Sequence, residues 1–213
     1  MRKVVVLKTD PVRPVGTSLD QAAEVLARGG LVVAPTETRY GLLARADRQD
    51  VLEKLYRVKK RDFGCPIALL IRETGEAGHY GYLNRAAEIL AERFFPGPMT
   101  LVLASKQDWP PPRVVDGKIG LRCSSAPVIR DLLTRVDMPI TATSANISGR
   151  ANHNSVEAIA GDFQDQVSLY LDAGQLAGRT STVVDCSLDN PRILREGAIA
   201  RDDILRAVNK LYE

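Results

Sequence analysis

Residues 18–34 read Ser-Leu-Asp-Gln-Ala-Ala-Glu-Val-Leu-Ala-Arg-Gly-Gly-Leu-Val-Val-Ala, and this run decides the class of fold. Leu19, Ala22, Ala23, Val25 and Leu26 recur at helical spacing, which predicts an amphipathic helix over 18–28. Ser18 stands as its cap, Gln21 three residues on completes a capping box, and Gly29-Gly30 supply the stop. Leu31–Ala34 follows at once as a short apolar run, the pattern of a buried strand. A capped helix, a glycine stop and a buried strand make the repeating unit of an α/β fold.

The same rhythm continues in both directions. Upstream, Lys3–Lys8 reads as a strand. Downstream, helices are predicted over 49–58, 84–93, 125–135 (Ser125 as cap, Pro127 in the first turn), 155–160 and 202–211. Strands are predicted over 67–71, 100–104, 118–122, 139–143, 168–171, 182–186 and 192–194. No internal repeat is present, and the Trp109-Pro110-Pro111-Pro112 loop does not interrupt the alternation, so one domain over residues 1–213 is expected.

Composition narrows the function classes. The chain of 213 residues is 45% hydrophobic and 26% charged, ordinary for a globular domain. Lys+Arg 29 against Asp+Glu 26 gives a net charge of +3, which excludes attachment to nucleic acid by bulk charge. Cys65, Cys123 and Cys186 form no Cys-x-x-Cys pair, so neither a zinc site nor a disulfide framework is indicated, and a reducing compartment is expected. The apolar run at 4–7 is too short for a secretory leader and no stretch could span a bilayer, so a cytoplasmic protein without membrane contact is expected.

Neither a Gly-x-x-x-x-Gly-Lys-Ser/Thr loop nor a Gly-x-Gly-x-x-Gly turn is present, which leaves both common phosphate-binding devices unsupported. Polar clusters instead recur at the ends of apolar strands, where open α/β sheets present ligand sites. Pro35-Thr36-Glu37-Thr38-Arg39-Tyr40-Gly41-Leu42 brings two hydroxyls and a carboxylate into what reads as a strand-to-helix loop. Lys59-Lys60-Arg61 closes a helix. Adjacent cations there suit either the helix dipole or a polyphosphate. Phe95-Pro96-Gly97-Pro98-Met99-Thr100 reads as a rigid turn walling a site. Arg122 ends one strand, Ser144-Ala145-Asn146-Ile147-Ser148-Gly149 follows another, and Ser181 and Arg195 lie at the ends of two more.

In this order the segments resemble the YrdC-type threonylcarbamoyl-AMP synthases, over roughly Leu19 to Ile199. The resemblance implies an α/β fold with a twisted, mixed but largely parallel open sheet, flanked by helices around a basic cavity, in the short single-domain form. It implies a nucleotidyltransferase that joins L-threonine, bicarbonate and ATP into threonylcarbamoyl-AMP and pyrophosphate, for threonylcarbamoyladenosine in tRNA. Thr36, Arg122 and Ser181 match the threonine-binding positions. Lys59 and Arg61 match the catalytic pair on the phosphates. Cys65, Ser144, Asn146 and Arg195 match positions around the nucleotide, and Mg2+ would arrive with ATP rather than on a protein metal site. Implied partners are the downstream threonylcarbamoyl-transferase proteins and RNA or tRNA. The chain departs from the family pattern at Arg39, usually small and apolar, at Cys65, often Asn, at Leu70, a His in some members, and at Cys123–Pro127. Two other readings stay open: an RNA-binding or ribosome-maturation protein, and a paralogue on the same fold without synthase activity.

Overall fold

The structure, a computed structural model, describes residues 4–209. The first half holds β1 (Val5–Lys8), α1 (Gly16–Ala27), β2 (Val32–Pro35), β3 (Tyr40–Leu43), α2 (Gln49–Lys59), β4 (Ala68–Ile71), α3 (Ala77–Tyr80), β5 (Gly81–Tyr82), α4 (Arg85–Phe94) and β6 (Met99–Ser105). The second holds β7 (Val114–Val115), β8 (Lys118–Cys123), α5 (Pro127–Leu133), β9 (Ile140–Ser144), α6 (Val156–Phe163), β10 (Leu169–Asp172), β11 (Thr182–Asp185), β12 (Arg192–Arg195) and α7 (Arg201–Asn209). Every predicted helix and strand recurs; Lys3 of the first strand and 210–211 of the last helix lie outside the described residues. None of the described helices is long and apolar enough to cross a membrane.

The strands join in the order β1-β10-β2-β3-β9-β4-β8-β6-β11-β12, with β5 on β6 and β7 on β8. The sheet is mixed as expected, but the largely parallel sense is not what forms. Among the described residues four pairings are parallel and seven antiparallel. The difference begins at Tyr40–Leu43, which the sequence pattern places in a loop. These four buried residues turn back along β2 as a hairpin. β3 in turn pairs antiparallel with β9, and β9 antiparallel with β4, whereas β10 keeps parallel neighbours on both sides.

Residue alternation then sorts the layers. Leu31, just before β2, and Val33 on it pack with Leu52 and Leu55 of α2 and Ile159 and Phe163 of α6. Val32 and Ala34 face Leu19 and Leu26 of α1 and Ile129 and Leu132 of α5. In the other half, Leu101, Leu103, Ile119 and Leu121 are covered by Leu90 of α4 and Ile204 of α7. The opposite face there carries Lys118, Gly120 and Arg122 on β8, Thr100 and Val102 on β6, and Val183 and Asp185 on β11. It is left open as the floor of a cavity.

Local ends differ in instructive ways. Gly29 and Gly30 stop α1 as predicted: Gly29, at φ +79°, donates to Leu26 O (2.9 Å) and Gly30 to Val25 O (2.8 Å), a Schellman closure. The Ser18–Gln21 capping box is not formed, because α1 starts at Gly16 with Val15 at the cap, and Ser18 is buried with its hydroxyl towards Lys8 O (3.4 Å). Ala126, not Ser125, caps α5.

Gly178 crosses the β2–β3 turn so closely that a Cβ there would lie 2.1 Å from Thr38 O. Gly178→Ala is therefore expected to lower stability by about 1–3 kcal/mol, the usual cost of overpacking. Thermal melts check this; an unchanged Tm would mean that the crossing segment yields freely.

Candidate active site

The cavity over this sheet face has a volume of about 570 Å3. Five cationic side chains line it, Arg39, Arg61, Lys118, Arg122 and Arg195, against two carboxylates, Asp116 and Asp185. Small residues give it depth, since Gly41, Ala68 and Gly120 lie on its floor. A Cβ on Gly120 would press on Ala68 at 3.2 Å.

The β2–β3 turn builds one wall. Thr36 closes it on itself: its N–H donates to Arg39 O (3.1 Å), its hydroxyl donates to the same oxygen (2.6 Å), and Thr38 N and Arg39 N donate back to that hydroxyl (3.2 Å each). A side-chain hydroxyl bonding local backbone in this way fixes a turn without further packing. Arg122 reaches the turn from β8. Its Nη2 donates to Glu37 Oε1 (2.8 Å), Thr38 Oγ1 (2.8 Å) and Thr36 Oγ1 (3.4 Å). Ser124 donates to the other Glu37 oxygen. The Glu37 and Arg122 side chains are each only 13% exposed, and Arg122 Nε is buried without a partner among the described residues. The guanidinium is thus held from one side with donor capacity to spare.

Arg195 forms the adjoining wall. Its Nε and Nη2 donate to Ser181 O (3.1 and 3.0 Å) and Nη2 also to Ser181 Oγ (3.0 Å). Thr100 Oγ1 stands 3.3 Å from that hydroxyl. Burial first, then the nearby charges of Arg122 and Arg61, lowers the Arg195 pKa. Three guanidiniums therefore share one field, which favours an anionic ligand. At the far end Lys118 donates to Asp185 Oδ2 (2.8 Å). Against the upward pull of burial, that bond and those from Ser187 hold the Asp185 carboxyl below its usual range.

The three consecutive cations have three different fates. Lys60 takes a left-handed conformation (φ 49°) and ends α2, with Lys60 N donating to Arg57 O (3.1 Å) and Arg61 N to Tyr56 O (3.0 Å). This reversal carries Arg61 out of the helix to the cavity rim, where its Nη2 donates to Pro66 O (3.0 Å). Lys60 is exposed. Lys59 stays on the helix, 1% exposed and outside the cavity lining.

Thr36, Arg61, Cys65, Arg122, Ser144, Ser181 and Arg195 thus converge on one cavity. Lys59 and Asn146 do not line it. Asn146 is buried: it accepts from Ser144 Oγ (2.5 Å) and donates to Ile147 O (3.1 Å) and Arg150 O (2.7 Å). Of the Phe95–Thr100 segment, expected to wall the site, only its last residue, Thr100, reaches the cavity. Sequence reasoning misses Glu37 and Ser124 as supports of Arg122, and Lys118 with Asp185. Glu37 carries a signal, a carboxylate between two hydroxyls. Nothing local pairs Lys118 with a residue 67 positions away.

A family model described as telomere recombination, Sua5/YciO/YrdC, matches residues 24–197. The chain is 32% identical to a putative threonylcarbamoyl-AMP synthase of Methanocaldococcus jannaschii, over 85% of this chain and 86% of that protein. It is also 32% identical to the threonylcarbamoyl-AMP synthase of Bacillus subtilis, over 96% of this chain but 60% of that protein. The crystal structure of Pyrococcus abyssi Sua5 complexed with L-threonine superposes with a TM-score of 0.88 at 30% identity, covering 96% of this chain and 61% of that one. The family match spans the turn at Thr36, the cation run at Lys59–Arg61, the strand end at Arg122 and the Ser144–Ser148 turn. With this fold and this extent of match, the chain belongs to the Sua5/YciO/YrdC family.

Proposed function

We propose that the chain is a threonylcarbamoyl-AMP synthase, a nucleotidyltransferase acting on L-threonine, bicarbonate and ATP. One observation carries the reading: a partly buried guanidinium, Arg122, anchored on the Thr36–Thr38 turn with donor capacity left over, facing the same cavity as Arg61 and Arg195. This is the inventory for one carboxylate and one polyphosphate. The relatives named as synthases support the same assignment.

The chemistry follows from that inventory. The threonine amine adds to bicarbonate-derived CO2 and loses a proton to give a carbamate. A carbamate oxygen then attacks the α-phosphorus of ATP, and the bond to the β-phosphate oxygen breaks as pyrophosphate leaves. Arg122 holds the amino acid by its carboxylate, Thr36 and Ser181 border it, and Arg61 and Arg195 offset charge on the phosphates. Transfers of this kind depend chiefly on positioning and charge stabilisation, so no side-chain base is assigned. Mg2+ would ride on the ATP phosphates with few protein ligands, as is usual for this ion. The cavity fits that mode, because its carboxylates are few and Asp185 is taken by Lys118. The product would pass to a transferase that moves the threonylcarbamoyl group to tRNA adenosine.

Pyrophosphate release is expected to require threonine and bicarbonate together. Serine should substitute poorly, although one methyl distinguishes substrates by only about 10- to 200-fold. Equal release with no amino acid present would identify a plain ATP hydrolase and end this reading.

A further inference from the structure

Lys59 occupies the buried face of α2, at i+7, i+4 and i+3 from Leu52, Leu55 and Tyr56, the stripe that packs the core. Its ammonium donates to Ser144 O, at the end of β9, and to Asn146 O (2.8 Å), two residues beyond it. Its own main-chain oxygen accepts from Ser148 N (2.8 Å). One residue therefore clasps the 144–148 turn at both ends, and only Ser144 of that turn lines the cavity. An ammonium has three hydrogens, and two are committed to carbonyls in an enclosed position. Arg61, two residues on, lies on the cavity rim instead.

We propose that Lys59 is a positioning residue that fixes the Ser144–Ser148 turn, and that Arg61 alone of the Lys-x-Arg pair meets the phosphates. The inference deepens the synthase reading. Burial first, then the Arg61 charge, pushes the Lys59 pKa down to about 7. In the unfolded chain the amine titrates near its ordinary value of 10.5. Between these values the unfolded state carries the extra proton, so raising pH adds stability.

Three measurements test the proposal. In the wild-type protein, lysine acylation followed by mass spectrometry should leave Lys59 unmodified, with or without Mg-ATP. Lys59→Met should lower the Tm and lower kcat in the folded fraction, while the directly measured ATP Kd stays within a few-fold of wild type. Arg61→Ala should show the opposite pattern, a weakened ATP Kd at a wild-type Tm. As pH rises from 7 to 9, wild type should gain stability relative to Lys59→Met. Protection of an otherwise reactive Lys59 by ATP, or a loss of ATP affinity in Lys59→Met matching Arg61→Ala, would show a phosphate ligand and overturn the proposal. A wild-type kcat in folded Lys59→Met would reduce the lysine to a packing element and overturn it equally. If Lys59→Met does not fold, the acylation result on wild type decides. If the chain makes no threonylcarbamoyl-AMP, the acylation and ATP-binding arms still decide the place of Lys59, so the two failures are separable.

Discussion

Arg122→Ala is expected to raise the threonine KM by about 10- to 150-fold, with a much smaller change in the ATP KM. That range converts the roughly 1.5–3 kcal/mol typical of a hydrogen bond to a charged group. A second effect accompanies it. Glu37 is as enclosed as Arg122 and pairs with it, so the truncation leaves a partly buried carboxylate with Ser124 as its remaining side-chain donor. Stability should fall by about 1–3 kcal/mol, the cost of an unsatisfied buried group. The two effects can be separated. Adding Glu37→Gln to Arg122→Ala removes the stranded charge and should restore stability, yet the threonine KM should stay high. An unchanged threonine KM in Arg122→Ala would take the carboxylate away from this residue.

Arg61→Ala is expected to cost about 10²- to 10³-fold in turnover, the loss typical when a donor aimed at developing charge is removed. Its contacts with the protein are slight by comparison. Arg61 Nη2 donates to Pro66 O (3.0 Å) and Nε points at Cys65 O (3.5 Å), both in exposed positions, where water takes the place of the lost donors at little net cost. The melting temperature should therefore move little while pyrophosphate release collapses. Arg61→Lys keeps the charge without the planar fork and should recover part of the rate. Activity within a few-fold of wild type in Arg61→Ala would place the phosphate site elsewhere.

The sequence announces this site in pieces of unequal clarity. Thr36, Arg122, Ser144, Ser181 and Arg195 sit at strand ends, and short apolar runs bounded by polar residues make strand ends readable. The helix α4 is readable to its cap, where Asn84 accepts from Ala87 N (2.9 Å). Tyr40–Leu43 is not readable as a strand: all four residues are buried, so no alternation marks it, and Gly41 weakens the β signal. Strand order is hidden for a related reason. Runs buried on both faces carry no record of which neighbour they pair with, so the reversal after β2 leaves no local mark. Lys59 is easily misplaced because three cations in a row look alike in sequence. Helical phase separates them, since counting three or four residues at a time from Leu52 and Leu55 brings Lys59 to the inward stripe. The left-handed turn at Lys60, which sends Arg61 the other way, needs tertiary contacts to specify it.

Strand order also bears on how the chain comes to fold. β1 and β2 are consecutive in sequence, but β10 lies between them and pairs in parallel with both. β11 likewise supplies the neighbour of β6 from far downstream. A nascent chain that has emerged only as far as α6 therefore has two vacant strand slots, one bordered by β1 and β2 and the other beside β6. Pairings separated by more than 130 residues, as those of β10 are, must wait until loop closure over that distance is compensated by contacts elsewhere, which slows folding in chains of high contact order. Until residues 169–185 arrive, backbone donors and acceptors on β1, β2 and β6 stay open to any other extended segment, a window in which chaperone engagement competes with aggregation.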